Sequence, residues 1–238
     1  MGLFLAASGV VGRDAAAVRN AIGAYVANVG GTFESRDGTT EDKNIGVMQE
    51  AAKLTTVLYP DGFSDFESLS QHLSTALETA VFSFHIHDGD LWMLIAFDNG
   101  REVAWFNPIP DYWGEVSTEE RAKWSGDANV VASLVPGVSP SSISNYFRKL
   151  PSETEDEPAK AYDDDEFPIG SDWQLTDFMR RLGFVYPLDD KGVPTGETFF
   201  LKIRRRRPQS PQEGGQQPPT TSPAPVTKAA SKPWWKFW

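Results

Sequence analysis

The sequence predicts an α+β fold built on an antiparallel sheet, and three observations predict it. Residues 81–107 carry three strand-like runs, 81–87, 90–98 and 101–107, separated by Asp88-Gly89 and Asn99-Gly100. Asn, Asp and Gly tolerate positive φ, so these dipeptides favour two-residue turns and the runs read as a three-stranded meander. Strand and helix signals alternate ahead of the meander, and helical signals follow it. Such turns demand antiparallel pairing, which fits α+β rather than a doubly wound parallel sheet. The strand-helix-strand-helix-meander order over residues 1–110 suggests a ferredoxin-like or related split core.

The elements follow in order. Residues 3–11 read as a buried strand. Asp14 caps a helix in which Val18, Ile22, Tyr25, Val26 and Val29 share one face, and Gly30-Gly31 stops it. Residues 32–34 begin a short strand and 36–44 make a polar loop. Residues 54–59, rich in Thr and Val, form a strand ended by Pro60-Asp61-Gly62. Ser64 and Glu67 have capping-box spacing, in which hydroxyl and carboxylate satisfy free N–H groups at a helix start. Phe66, Leu69, Leu73 and Leu77 give that helix its stripe, and His72 lies off it, facing solvent.

Two-residue turns set the meander's register. His87 then faces Asp90, His85 faces Trp92, Ser83 faces Leu94, Leu94 faces Trp105 and Trp92 faces Asn107. Alternation puts Phe82, Phe84, Ile86, Leu91, Met93, Ile95, Phe97, Ala104 and Phe106 on a core face. Ser83, His85, His87, Asp90, Trp92, Leu94, Trp105 and Asn107 make the other.

Past the sheet, residues 108–113 form a stiff loop containing Tyr112 and Trp113, with a candidate sub-boundary near 110–116. Ser117–Glu120 and Ser171–Gln174 repeat the capping-box spacing. Residues 128–134 read as a helix, Ser139-Pro140 opens another through Lys149, 152–157 is an acidic loop, Gly183 stops the third-box helix, and 199–203 reads as a last strand.

Of 238 residues, 40% are hydrophobic, enough for a packed core without metal or disulfide. Residues 1–203 read as a single α+β domain, 204–232 as a disordered, basic Pro/Gln-rich linker, and 233–238 as an aromatic motif. From Arg204 on, seven Lys/Arg stand against one Asp/Glu, a charge of +6; with a net −11 for the chain, residues 1–203 carry −17. That acidity argues against nucleic acid as a partner of the domain. With no Cys, thiol catalysis, zinc–thiolate sites and disulfides are excluded. The first residues resemble a signal peptide but lack a basic start, and Ala6 stands where a myristoylation signal has Ser or Thr. No apolar run approaches the ~20 residues of a bilayer span, so a soluble, cytoplasmic protein is expected.

Two candidate sites lie on the meander. His85 and His87, at i and i+2 of one strand, share a face, and Asp90 would stand across from His87. Two imidazoles and a carboxylate are the donor set of a divalent transition metal. His85, Trp92, Trp105, Asn107, Tyr112 and Trp113 make a candidate ligand cleft. Asp163–Glu166 reads as a solvated acidic run rather than a Ca²⁺ loop, for it lacks EF-hand spacing. No phosphate-binding Gly-rich loop or nucleophile elbow occurs.

The absence of a coherent catalytic set favours a non-enzymatic binding or adaptor protein with no cofactor. Its aromatic motif, Trp234, Trp235, Phe237 and Trp238, is expected to dock a protein partner, with a membrane surface or the chain's own Trp92/Trp105 face as the alternatives. The competing reading is a metal-dependent hydrolase using His85, His87 and Asp90, which alone calls for a divalent metal.

Overall fold

A computed structural model describes residues 2–148 and 159–203. The chain up to Ile203 packs as one compact unit. The linker and the motif of Trp234, Trp235, Phe237 and Trp238 lie outside the described residues.

The fold is α+β. The described residues form eight strands: β1 (Leu5–Val11), β2 (Thr32–Ser35), β3 (Ile45–Ala51), β4 (Leu54–Leu58), β5 (Ala80–His87), β6 (Leu91–Asp98), β7 (Arg101–Phe106) and β8 (Glu197–Lys202). Among the described residues five α-helices accompany them: α1 (Ala15–Val29), α2 (Phe66–Leu77), α3 (Thr118–Lys123), α4 (Ala128–Ser133) and α5 (Gln174–Arg181). The strands form one sheet in the order β2-β8-β3-β4-β1-β5-β6-β7. Every pairing is antiparallel. Within it, β1, α1, β3, β4, α2 and β5 follow the expected split β-α-β connectivity, with β3-β4-β1-β5 adjacent in space. β6 and β7 extend one side, and β8 and β2 the other.

Both faces of the sheet are covered. β1 alternates Ala6, Ser8 and Val10 toward one side with Leu5, Ala7 and Val11 toward the other. On the first side Val10, Met48, Val57, Val81, Phe199 and Leu201 pack with Val18, Ile22 and Val26 of α1 and Leu69 and Leu73 of α2. On the second, Ala7, Phe82, Phe84, Ile86, Leu94 and Phe106 pack with α4, α5 and Phe184. Gly9 is required there: a Cβ at this position would stand 2.8 Å from the Phe184 ring and 2.9 Å from Phe84.

Local signals act as expected at α1, where Asp14 Oδ1 accepts from Ala17 N–H and Gly30 closes the helix at φ 76°. The Ser117/Glu120 capping box is formed at α3. The Ser171/Gln174 box is not. Asp65 precedes α2 without a side-chain cap, and Ser171 Oγ accepts from Trp173 N–H in a turn ahead of α5. The helix expected from Ser139 is two short 3-10 turns, Pro140–Ser142 and Ser144–Tyr146. His72 does not face solvent: it packs on Tyr25 of α1 at 5.2 Å, with Nε2 buried.

The meander forms, but its register differs from the expected one. The turn has positive φ at Asp88 and Gly89, and Asp90 N–H donates to His87 C=O at 3.0 Å. Asp90 then sits outside the ladder, its carboxylate accepting from the Tyr112 hydroxyl, and His87 pairs with Leu91. One extra residue exchanges the two faces of β6. His85 therefore faces Met93, and Trp92 faces Ile86, joining Leu94 and Ala96 in the second core. Leu91, Met93, Ile95 and Phe97 lie on the α1/α2 side with His85. Past Asn99-Gly100, Asp98 pairs with Arg101 as expected. A bulge then sets Phe97 against Glu102 and Ala96 against Ala104, so that Leu94 pairs with Phe106 rather than Trp105.

Candidate functional site

The residues singled out in the sequence gather mostly at the turn end of β5 and β6, on two sides of the sheet. His85 and His87 do share a face, with ring centroids 5.7 Å apart. His85 stacks on Phe66 at 4.8 Å and 17°. Its Nδ1 lies 2.9 Å from the Leu5 carbonyl, which only accepts, so Nδ1 carries the proton and Nε2 the lone pair. Burial, and then the neighbouring His87, lower the His85 pKa to about 4. His87 is also held below its ordinary value by desolvation, which outweighs the opposite pull of Asp88 and Asp90. Both rings are thus neutral at pH 7.

Around His87 stand three further rings. Phe4, 43% exposed, meets it edge-to-face at 5.0 Å. Trp113 does so at 4.9 Å and Tyr112 at 5.8 Å, while Tyr112 and Trp113 contact each other at 4.7 Å. Two reversals carry the last pair back over the turn: Tyr112 N–H donates to Ile109 C=O, and Gly114 N–H to Asp111 C=O, each at 3.0 Å. The hydrogen bond to Asp90 raises the Tyr112 pKa. Gly89 N–H donates to Leu3 C=O at 2.9 Å, tying the turn to the start of β1.

Trp92 lies on the opposite face. It is buried against Phe106 at 4.8 Å and Phe178 at 5.1 Å, and its Nε1 donates to Gln174 Oε1 at 3.3 Å. Beside it lies a shallow pocket of about 10 Å³, room for about one water, lined by Asp90, Trp92, Phe106, Arg148, Ser171 and Gln174 among others. Gln174 is 3% exposed, and its Nε2 has no partner among the described residues.

Trp105 and Asn107 do not join this constellation. Trp105 Nε1 donates to Glu102 at 3.1 Å, and Lys123 Nζ lies 4.2 Å from its ring. Asn107 is buried and organises the following loop, its Oδ1 accepting from Ile109 N–H at 2.8 Å. The six-residue cleft is thus divided: His85, Tyr112 and Trp113 on the α2 side, Trp92 in the second core, Trp105 and Asn107 toward α3. Nor do His85, His87 and Asp90 converge. Among the described residues no group of three or more His, Asp or Glu is placed to hold a metal ion.

Phe4, Phe66 and Gln174 are the participants that sequence reading missed. Phe4 carries no signal beyond its strand, and Gln174 was assigned to a helix cap. Register alone brings them to the site. The acidic run also differs from expectation. Asp165 is buried, accepting from Tyr146 hydroxyl at 2.7 Å, Tyr162 N–H at 3.0 Å and Arg181 Nη2 at 3.0 Å.

Compared with models of known protein families, with curated proteins and with solved structures, the chain matches none. No helix among the described residues is long and apolar enough to cross a membrane.

Proposed function

We propose that this chain is a non-enzymatic binding protein, an adaptor with two recognition elements. The folded unit engages a protein partner through the turn end of β5 and β6. The segment bearing Trp234, Trp235, Phe237 and Trp238 engages a second one. The observation that carries the reading is the surface cluster in which exposed Phe4 stands with Tyr112 and Trp113 around His87. Aromatic residues at a surface are the side chains that most often anchor protein interfaces. The second element rests on sequence: four aromatics in five residues, behind a Pro/Gln-rich stretch. A lipid headgroup layer is its alternative target, since Trp beside Lys prefers that zone. The absence of cysteine fits the cytoplasm, and the −17 charge of residues 1–203 disfavours nucleic acid.

Pull-down of the full chain tests both elements. Phe4→Ser with Trp113→Ala should lose one set of partners, and Trp234→Ala with Trp235→Ala and Trp238→Ala another. Retention of every partner by both variants rejects the reading. The hydrolase alternative has one observation in its favour, the adjacency of the His85 and His87 rings. Elemental analysis of purified protein for a stoichiometric transition metal decides it.

A further inference from the structure

The sheet ends at β2, which pairs with β8 and with no other strand among the described residues. Two hydrogen bonds fix the direction of its backbone groups. Arg36 N–H donates to Thr198 C=O at 3.3 Å, so Arg36 turns toward β8. Leu201 N–H donates to Asn44 C=O at 2.8 Å, so Leu201 turns toward β3 and away from its β2 neighbour Phe33. An antiparallel ladder alternates, so Thr32, Glu34 and Arg36 bond to β8, while Phe33 and Ser35 aim their N–H and C=O outward. An open edge of this kind is a template for another strand.

Side chains alternate in the same way. Glu34 and Arg36 share one face of β2 as an ion pair at 2.6 Å, and the Arg36 guanidinium lies 4.5 Å from the Phe200 ring. Charges on an edge strand ordinarily bar pairing. These two select a partner instead. A second β2 running antiparallel has to set outward groups against outward groups, so one residue of β2 stands opposite its own copy. Centring on Glu34 or on Arg36 brings like charges together. Centring on Phe33 sets Glu34 against Thr32. Ser35 at the centre places Glu34 opposite Arg36 of the second copy, twice, in the closer, non-hydrogen-bonded kind of pair. Helix α1 flanks this edge, with the place a Cβ on Gly23 would take 3.8 Å from the Phe33 ring. Its exposed residues, Ala16, Asn20, Ala24, Ala27 and Asn28, carry no charge that would repel a copy.

We propose that β2 is the seam of a homodimer in which Ser35 faces Ser35 across a twofold axis and the two sheets become one. Ser35 exchanges two backbone hydrogen bonds with its copy, and each Glu34 lies between two guanidinium groups. A seam one short strand long is smaller than the ~1,600 Å² of a standard interface, so the dimer forms reversibly at micromolar concentration. It carries every recognition element twice, which gives avidity toward a ligand with repeated sites.

The test is sedimentation of the full chain at physiological ionic strength, which screens the general acidity of the domain. A hundredfold rise in concentration should carry the mass from monomer to dimer. Ser35→Pro removes an outward N–H that β8 does not use, so it should hold the chain monomeric with the melting curve of the dilute parent. Glu34→Arg sets like charges across the seam and should weaken association at least tenfold. Adding Arg36→Glu to it should restore association to within threefold. The chain has no cysteine, so single thiols report the register. Under mild oxidation Ser35→Cys, with Cα atoms about 5.5 Å apart across the seam, should form a covalent dimer. Thr32→Cys, about 20 Å from its copy, should not. A monomer at every concentration, a dimer that survives Ser35→Pro, a charge-swapped pair no better than Glu34→Arg alone, or equal crosslinking by the two thiols overturns the proposal.

Discussion

Ser8 on β1 and Ser83 on β5 stand directly opposite each other in the sheet, both buried, yet only Ser8 is hydrogen-bonded. Ser70 Oγ gives its hydrogen to Phe66 C=O at 2.7 Å, so it can only accept from Ser8 at 2.7 Å. Ser8 Oγ in turn accepts from the Tyr59 hydroxyl at 2.6 Å. The chain runs Tyr59 to Ser8 to Ser70 to Phe66, each hydrogen assigned. Ser8→Ala breaks its middle and should cost about 1–3 kcal/mol, because Tyr59 and Ser70 lose partners together. Ser83→Ala removes a hydroxyl without a partner and should be neutral or stabilising by up to about 1 kcal/mol. Urea unfolding of the two variants checks the contrast. Equal destabilisation would show that Ser83 has a partner too.

The two imidazoles make stability depend on pH. Their pKa values are lower in the folded state than the ordinary 6.5, so the unfolded chain binds more protons between them. The stability they contribute is complete above about pH 6.5. It is lost as pH falls toward 4, the folded value for His85. For His85 the full span is at most about 3 kcal/mol. His85→Phe keeps a ring on Phe66 and should flatten the pH 4–6.5 slope relative to the parent. Carboxylates titrate in both proteins, so the difference between the two slopes is the quantity to measure. Identical slopes would refute the buried, neutral state of His85.

Asp165 clasps the loop before α5. Its side chain is wholly buried, and Tyr146, Tyr162 and Arg181 all donate to it. Asp165→Ala takes the buried acceptor from Tyr146, Tyr162 and Arg181, whose charge keeps only the exposed Asp164, and should cost about 3 kcal/mol. Tyr146→Phe removes one hydrogen bond and should cost about 1 kcal/mol. Thermal melts rank the two, and a reversed order would mean that the loop is held elsewhere.

The β3–β4 turn is strained and open to improvement. Ala52 and Lys53 hold φ values of 49° and 65°, a left-handed region that side chains with a Cβ disfavour by roughly 1–2 kcal/mol each. Ala52→Asn with Lys53→Gly supplies residues suited to that turn and should raise stability by about 1–2 kcal/mol. An unchanged midpoint in chemical denaturation would count against the assigned turn.

That same turn explains what could be read in advance. Asp88-Gly89 and Asn99-Gly100 declared their turns, so the meander was visible in the sequence. Ala52-Lys53 has no turn chemistry, and β3 went unseen because nothing separated it from the polar stretch before it. The faces of the meander were misassigned for a smaller reason. Asp90 leaves the ladder to meet Tyr112, a contact between residues far apart in sequence that no local pattern records. One residue then moved Trp92 from the supposed cleft into the core. His85 and His87 survived the slip, because their shared side depends only on alternation within β5. Gln174 was invisible as a pocket residue, since its role depends on Trp92 and so on the corrected register.

The place of β8 governs when the sheet can be completed during synthesis. β8 lies between β2 and β3, and Thr198 Oγ1 bonds Arg36 C=O across 162 positions of sequence. A nascent chain that has already paired β3, β4, β1, β5, β6 and β7 therefore leaves the β8-facing backbone groups of Ile45–Met48 unpaired and β2 without its partner strand. Only when the ribosome has released residues 197–202 can β8 join the two. Until then the exposed rim of β3 is available to another growing chain. Crowded polysomes should therefore be where this protein is most prone to misassembly, and a chaperone covering β3 would act before release rather than after.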